Sequence, residues 1–453
     1  MTQVAEDKNV HVSHFERLEL ELPASASQPW LEKRRRDGIT RFEAVGFPST
    51  KQEEWRFTNV APIARTKFAM ADRATLAGKP PYSFGDEAAA ELVFVNGYYM
   101  PELSKVQGLP AGVRVGSLAD SLRNDAGLLE KHLARHADIG DNPFVALNTG
   151  FVREGAVIHF SRATVLDRPV HLLFLSVPGA EPTVSHPRVL IVAEDNAEAT
   201  VVETYAGVGP GVYFTNAVTE VVAGSNARVD HLKVNQESRE AYHVSTTQAQ
   251  VGRTGAFISH SASLGGKLTR NDLNVVLAGD AAETTMNGLV WIGGDQHVDN
   301  HTHINNARPG CPSHELYKHV LADKATAVFK GKILVQQVAQ KTDAKQTSKT
   351  LLLSDDAVMN SQPALEIYAD DVKCTHGSTI GPVDDDMVFY LRSRGVSLEA
   401  ARHLLTYAFA ADITRRIRIE SVRRRLEDWM AAQQGLPQDL RITDLGRHDE
   451  KHR

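Results

Sequence analysis

Hydrophobic and polar residues follow two different rhythms along this chain. From about Val10 to Thr75, and again after Gly395, apolar residues recur at helical spacing between charged residues. Between these regions the apolar residues fall into short alternating runs separated by Gly, Asn and Asp, which is typical of β-strands. The pattern predicts a mainly β core between two mainly helical regions.

A short motif recurs in the β-type region: an apolar pair, a polar turn, a small residue and an alternating run. Its spacing of roughly 30 residues lies in the range of stacked-coil proteins. Because one such unit cannot bury its apolar face alone, successive units must stack into a continuous core. We therefore predict a right-handed β-helix-like solenoid, with a β-sandwich as the alternative. The copies begin at Val192, Val222, Val251, Leu277, Leu321 and Leu353, with a longer gap between the fourth and the fifth.

Three regions are predicted from these changes of pattern. Residues 1–90 form a mainly helical N-terminal region. Residues 91–390 form the solenoid core, with a mixed stretch near 110–150. Residues 391–453 form a C-terminal helical region, and Ser397 is placed to cap the start of its helix.

An apolar stripe marks the C-terminal helical region. Leu405, Phe409 and Ile413 step by four residues, and Tyr407 adds a further ring. Such a stripe is too apolar for a free surface. We expect it to be buried against the solenoid or to bind a partner protein.

Charge and cysteine content narrow the functional classes. The chain has 453 residues, with 50 Lys plus Arg against 56 Asp plus Glu, and a net charge of -6. No basic excess favours nucleic acid or an anionic membrane. The two cysteines are too few for a disulfide framework. No apolar run suits a bilayer span or a secretory signal, so a soluble cytoplasmic protein is expected.

A chain of this size could be an enzyme that binds a nucleotide. No phosphate-binding loop of the GxxxxGK[ST] type occurs, and the nearest segment, Ser261 to Lys267, lacks the leading glycine. Any ATP hydrolysis linked to this chain must therefore come from another protein.

A histidine run is the first candidate metal site. The segment QHVDNHTHINN places His297, Asp299, His301 and His303 on alternate positions, hence on one face of a strand. Imidazoles and carboxylates are ordinary ligands for zinc or iron. Successive residues on one face are about 6–7 Å apart, however, so all four cannot reach one ion without a bend. A polar row on the solenoid surface is favoured over a metal-dependent enzyme site.

A cysteine and a histidine in IYADDVKCTHGSTIG are the second candidate. On an extended strand Val372, Cys374 and His376 share one face. Thiolate and imidazole suit iron or zinc, but a tetrahedral site usually takes four ligands. If Cys374 and His376 bind a metal, further ligands come from elsewhere, such as another subunit; otherwise they are packing residues.

Long segments of the sequence resemble the SufB/SufD family of iron–sulfur cluster assembly scaffold proteins. Between Ser313 and Phe409 the runs SHELYKHVLADKATAVFKGKILVQQVAQKTDAKQTSKTLLLSDDA, PALEIYADDVKCTHGSTIG and MVFYLRSRGVSLEAARHLLTYAF are similar to the shared family core. FPSTKQEEWRFTNV, from Phe47 to Val60, resembles the family's N-terminal signature. DDVKCTHG followed by FYLRSRG is similar to the SufD branch. The sequence departs from the family at Asn305 and Asn306, where many relatives carry a histidine after HTHI.

The resemblance implies a non-catalytic scaffold subunit of a SufBCD-type complex. Such a subunit pairs with a SufB-like homologue through the β-cores, binds a SufC-like ABC ATPase through its C-terminal helices, and aids iron acquisition. Sulfur arrives indirectly from a cysteine desulfurase system. No cofactor is bound stably by the chain alone. Iron or a nascent cluster is held transiently at the interface with the SufB-like partner, where His376, and less strongly Cys374, are the candidate ligands.

The alternative is a β-solenoid enzyme acting on carbohydrate, or the metal-dependent enzyme considered above. The acidic run Asp384, Asp385 and Asp386 would supply the acid and the base of a carbohydrate-active enzyme. Consecutive residues of a strand face opposite sides, which is poor geometry for paired carboxylates. The scaffold interpretation is therefore preferred.

Overall fold

The computed structural model describes residues 13–20, 28–76, 78–140 and 142–435. The fold is mainly β, with a solenoid core of about eight turns and helices on its N-terminal and C-terminal sides, so the predicted solenoid is confirmed. The ends of the two predicted helical regions, at residues 1–12 and 436–453, lie outside the described residues. The division of the chain into three domains stays a prediction.

Nine α-helices are described in these ranges. They are α1 at residues 13–20, α2 Pro29–Val45, α3 Ala61–Arg65, α4 Leu118–Asn124, α5 Ala126–His132, α6 Pro143–Gly150, α7 Asp385–Ser393, α8 Leu398–Thr414 and α9 Glu420–Gln433.

The strands form two long sheets, here called sheet A and sheet B. Sheet A contains β1 Ala69–Met70, β4 Val113–Ser117, β5 Gly155–Phe160, β7 Thr183–Ser185, β8 Arg188–Ala193, β10 Tyr213–Ala223, β12 Tyr242–Val251, β14 Leu268–Leu277, β16 His297–Asn306, β18 Thr326–Val335 and β20 Val358–Ile367. Sheet B contains β2 Ala90–Val95, β3 Tyr98–Tyr99, β6 Val170–Ser176, β9 Glu198–Gly207, β11 Arg228–Gln236, β13 Ala256–Ser263, β15 Glu283–Ile292, β17 Pro312–Leu321, β19 Asp343–Leu352 and β21 Lys373–Gly381.

Each coil of the solenoid contributes one strand to each sheet, and equivalent strands of successive coils pair in parallel. Leu268 of β14 pairs with His297 of β16, which pairs with Thr326 of β18, an offset of 29 residues per coil. Small and branched apolar side chains from both sheets meet inside and form one long core. In the first four copies of the motif, an apolar residue at the end of a sheet A strand, such as Ala193 or Val251, enters this core.

The corners between the sheets explain the repeated motif. Most corners that lead from sheet A into sheet B contain one residue with a left-handed backbone, including Asn196 with φ 63° and Asn226 with φ 55°, and Asn tolerates this conformation better than most residues. The Asn196 N–H donates to Ser225 O at 2.9 Å and the Asn226 N–H to Arg253 O at 2.8 Å, so successive corners stack through backbone hydrogen bonds.

The motif copies do not all lie at the same corner, contrary to the single repeat that the sequence suggested. The first four copies turn from sheet A into sheet B, whereas the copies at Leu321 and Leu353 turn from sheet B into sheet A. The longer gap before Leu321 arises because the recognisable motif changes from one corner to the opposite one. Both corners need the same tight polar turn, so their sequences look alike.

The helices pack on the outside of the solenoid. Helix α2 crosses α6 closely at Gly38, where a Cβ atom would lie 2.7 Å from Ala146 O and from Gly150 N. Helices α8 and α9 cover the outer face of sheet B with an apolar cluster that includes Ile413 and Leu426. Ser397 caps α8 by accepting the Ala400 N–H, as predicted.

The acidic run at 384–386 begins a helix rather than lying on a strand. Asp384 caps α7 by accepting the N–H groups of Asp386 and Met387, and Asp385 and Asp386 occupy the first turn. Carboxylates at this position interact favourably with the positive end of the helix dipole. The strand geometry expected for these residues is therefore wrong.

Candidate functional site

The histidine run lies on the outward face of β16, where it contacts the segment that follows α2. His297 Nε2 lies 2.9 Å from Thr58 Oγ1, and the Thr58 hydroxyl also donates to the Asp299 carboxylate. His301 Nε2 lies 3.0 Å from the other Asp299 oxygen and Nδ1 lies 3.4 Å from Glu54 Oε2. These side chains hold the N-terminal segment on sheet A.

Arg270 of β14 is the centre of the same network. Its guanidinium donates to Asp299 Oδ2 at 2.8 Å and to Glu54 O at 2.6 Å, and it lies 3.8 Å from the ring centre of Trp55. Burial is the largest single influence on the pKa of His301 and lowers it, but the Asp299 and Glu54 carboxylates together raise the pKa overall. The FPSTKQEEWRFTNV segment is thereby fixed by charge and by an aromatic ring.

Metal binding by the histidine run has no support in this geometry. Across residues 13–20, 28–76, 78–140 and 142–435 no group of three or more His, Cys, Asp or Glu side chains is arranged to hold a metal ion. His303 faces a groove of about 470 Å³ that Trp55 and Lys332 also line. The run is a polar row on the outer face of sheet A that is partly covered by the segment containing Glu54 and Thr58.

Cys374 and His376 lie on β21, the last strand of sheet B. Val372 and Cys374 are partly buried against the solenoid core, whereas His376 is exposed. Burial raises the pKa of the Cys374 thiol, so it is neutral until a metal or a base removes its proton. The structure tests no ligand role for either side chain, and that role stays a prediction.

The open end of the solenoid is formed by β20 and β21. They are the terminal strands of sheet A and sheet B, so one edge of each has no neighbouring strand among the described residues. Apolar side chains are exposed there, including Ile367, Tyr368 and Ile380. Unpaired strand edges with apolar side chains are a template for pairing with another chain.

Two sites missed from the sequence lie inside the solenoid. In the earlier coils, Lys233 Nζ lies 2.9 Å from His243 Nε2, Glu203 Oε1 lies 2.9 Å from His231 Nε2, and all four side chains are buried. Burial lowers the pKa of Lys233 to about 8. Alternating polar residues in the β11 sequence RVDHLKVNQ are the only signal of this cluster, and alternation does not tell which face is inside.

A second buried carboxyl lies closer to the open end. Glu315 of β17 faces inward, and Gln346 Nε2 donates to its Oε2 at 2.7 Å. Burial raises the pKa of Glu315 to about 7, because hydrogen bonds from Thr302 and Gln346 compensate only in part. Unlike Glu203, it has no cationic partner among the described residues.

The predicted partner-binding stripe packs mainly on the solenoid. Tyr407 and Ile413 are buried against sheet B, while Leu405 and Phe409 are half-buried. Lys318 Nζ lies 4.5 Å from the ring centre of Phe409 and donates to its carbonyl oxygen at 2.9 Å. Burial against the solenoid was one of the two expected outcomes, and partner binding by these residues stays a prediction.

Helix α7 carries most of the large apolar side chains that are exposed in the described part of the C-terminal region. Met387 and Tyr390 are exposed, and Phe389 is 74% exposed. No helix in the described part of the chain is both long and apolar enough to cross a membrane.

Both the N-terminal part of the chain and its solenoid core match known protein families. Residues 175–409 match the family model of the SUF system FeS cluster assembly SufBD core domain, and residues 7–172 match that of the SufBD protein N-terminal region. An iron–sulfur cluster assembly SufBD family protein of Synechocystis is 34% identical, covering 87% of this chain and 89% of its own length. The iron–sulfur cluster assembly protein SufD of Escherichia coli is 31% identical over 84% of this chain and 88% of its own. SufD of Bacillus subtilis is 28% identical over 88% and 92%.

Proposed function

Because the chain belongs to the SufBD family of iron–sulfur cluster assembly proteins and is SufD-like, we propose that it is a non-catalytic scaffold subunit of a SufBCD-type complex in the cytoplasm. Its open solenoid end pairs with a SufB-like homologue. Its C-terminal helices recruit a SufC-like ABC ATPase. The observation that carries the proposal is that Cys374 and His376 lie on the last strand, at this open end.

Pairing through the open end follows from the physics of strand edges. Strands β20 and β21 present backbone groups that are unpaired among the described residues, and a homologue with the same architecture presents matching ones. Exposed Ile367, Tyr368 and Ile380 add apolar surface that a partner removes from water. A heterodimer formed in this way continues both sheets across the interface.

Iron or a nascent cluster is the cargo of this interface. His376 is accessible and offers an imidazole ligand, and Cys374 becomes a thiolate when it binds a metal. Two ligands from this chain leave positions for ligands from the SufB-like subunit. This incomplete set supports shared, transient binding and a part in iron acquisition rather than a resident cofactor.

Recruitment of the ATPase is assigned to the C-terminal helices. Among the described residues of α7, Met387, Phe389 and Tyr390 form an exposed apolar surface that suits a protein partner. Leu405 and Phe409 of α8 keep part of their surface accessible. Tyr407 and Ile413 are buried and pack α8 on sheet B.

Replacement of His376 by Ala tests the proposal. The complex is produced by co-expression with the SufB-like and SufC-like subunits, its composition is checked, and cluster content is measured spectroscopically. We expect an intact complex with sharply reduced cluster content, because an exposed residue is lost without disturbing the core. Cys374→Ser should have a milder effect. Normal cluster content in an intact His376→Ala complex would reject the ligand role.

A further inference from the structure

A column of inward-facing side chains runs through the last three strands of sheet B. Glu315 of β17 lies opposite Gln346 of β19, and Gln346 lies opposite His376 of β21. Cys374 packs on the solenoid core and the Ser378 hydroxyl donates to strand β20 at 2.9 Å, so both neighbours of His376 on its face point inward. His376 therefore occupies the outermost position of the column, at the open end.

Gln346 is a buried amide of which only one half is bound. Its Nε2 donates to Glu315 Oε2 at 2.7 Å. Its Oε1 is buried and has no hydrogen-bond partner among the described residues. A buried polar atom without a partner costs roughly 1–3 kcal/mol. An apolar residue that suits a β-strand would avoid this cost. The presence of an amide here therefore indicates that its free oxygen has a role.

The orientation of the Gln346 amide is fixed on two sides. Glu315 offers an acceptor oxygen in either protonation state, which selects the NH₂ side of the amide. From the opposite sheet, Gly331 of β18 leaves room for the amide, because a Cβ atom there would lie 2.2 Å from Gln346 Nε2. Because Nε2 is bound on the β17 side, the free Oε1 is directed toward β21, whose backbone lies one strand spacing, about 4.8 Å, from that of β19.

We propose that Gln346 is a positioning residue for His376 and that Glu315 holds Gln346 in place. The Gln346 Oε1 accepts the N–H of the inward ring nitrogen, which leaves the other nitrogen deprotonated and directed toward the open end. Metal-binding histidines commonly donate their second N–H to a carbonyl or carboxylate oxygen, which sets the tautomer and raises ligand basicity. The inference rests on the proposed function for the metal, whereas the hydrogen bond needs only residues of this chain and forms when the exposed His376 ring turns toward the unpaired Oε1.

The first test measures the tautomer of His376 in the full chain without partners. Nitrogen-15 labelling of histidine shows which ring nitrogen carries the proton, and the His376 signals are identified by their loss in His376→Ala. Gln346→Met keeps the side-chain volume and removes the acceptor, so the His376 shifts should move to those of an unconstrained histidine. Ser348→Ala is the matched control, because it changes another buried polar residue of β19 outside the column.

A second variant and a second measurement separate positioning from simple stability. Glu315→Met frees the amide without touching it, and the His376 shifts should move in the same direction. In the assembled complex, Gln346→Met should weaken metal binding about 10- to 100-fold. Unchanged His376 shifts in both variants would overturn the inference. Moved shifts together with normal cluster content in His376→Ala would support the hydrogen bond and reject the proposed ligand role.

Discussion

The two ends of the solenoid differ in how completely the chain finishes them. At the N-terminal end, every residue of β2 and β5 is buried, and the antiparallel strands β3 and β4 pair with them. At the C-terminal end, β20 and β21 have no such neighbour among the described residues, and most of β21 is exposed. We call the N-terminal end the finished end, because its last strands are buried or paired. The C-terminal end is the open end, because a second molecule can pair with its strand edges.

The interior repeats the same contrast. In the earlier coils the carboxylates are compensated, since Glu203 pairs with His231 and Glu237 Oε2 lies 2.8 Å from His243 Nδ1. Near the open end Glu315 has an amide where the earlier carboxylates have a cationic or imidazole partner. In the earlier coils these buried carboxylates therefore have ionisable partners, whereas Glu315 contacts only neutral groups among the described residues.

The largest expected effect comes from placing a charge at the finished end. Leu92 of β2 is fully buried in the solenoid core. Leu92→Asp buries a carboxylate without a partner, which costs several kcal/mol, a large share of the stability of a typical domain. We expect aggregated or unfolded protein by circular dichroism and thermal melting. A folded variant with a wild-type melting temperature would contradict the description of this end as closed core.

The buried pair between Arg188 and Glu220 should have the next largest effect. Arg188 donates to Glu220 Oε2 at 2.7 Å, and the same carboxylate accepts backbone N–H groups from residues 134–137, which fixes that loop on sheet A. Glu220→Gln leaves the guanidinium without a counter-charge and should cost about 3–5 kcal/mol. Urea unfolding measures the loss. A loss below about 1 kcal/mol would show that the pair is not needed at the finished end.

A pH-dependent effect should distinguish the two interiors. Because the folded-state pKa of Glu315 is raised to about 7, its protonated form stabilises the fold below pH 4.5, and this contribution is lost as pH rises to 7. From pH 5 to pH 8, Glu315→Gln should therefore gain up to roughly 3 kcal/mol relative to wild type. Urea unfolding at both pH values measures the difference.

Glu203→Gln is the matched control for that experiment. Burial raises the pKa of Glu203, but the hydrogen bond from His231 and other contacts lower it overall. Its stabilising contribution is present above the unfolded-state pKa, so the variant should be destabilised equally at pH 5 and pH 8. If the free energy of unfolding changed equally with pH in Glu315→Gln and in wild type, Glu315 could not be a buried carboxyl without a cationic partner.

The sequence predicted the solenoid because the corners are local features. Asn196 and Asn226 stand at turns whose backbone needs a residue that tolerates positive φ, and the apolar strand ends flank them. The Ser397 cap was visible for the same reason. The change of corner at Leu321 was not visible, since both corners use similar turns.

The inside of the solenoid could not be predicted from alternation. Helices α8 and α9 cover the outer face of sheet B, so Leu232 and Leu289 face outward although they are apolar. Lys233 and Glu315 face inward although they are charged or polar. Which face is inside depends on what covers the other face, and that contact joins residues more than a hundred positions apart.

The central claim, that the open end is the edge that binds the SufB-like subunit, is tested most directly by co-purification of Ile380→Asp. Because Ile380 of β21 is exposed, the free energy of unfolding of the variant should lie within about 0.5 kcal/mol of the wild-type value. Val165→Asp, at an exposed valine near the finished end, is the matched control. We predict that Ile380→Asp loses the SufB-like subunit while Val165→Asp retains it. Retention of that subunit by a folded Ile380→Asp chain, at wild-type stoichiometry, would contradict the account.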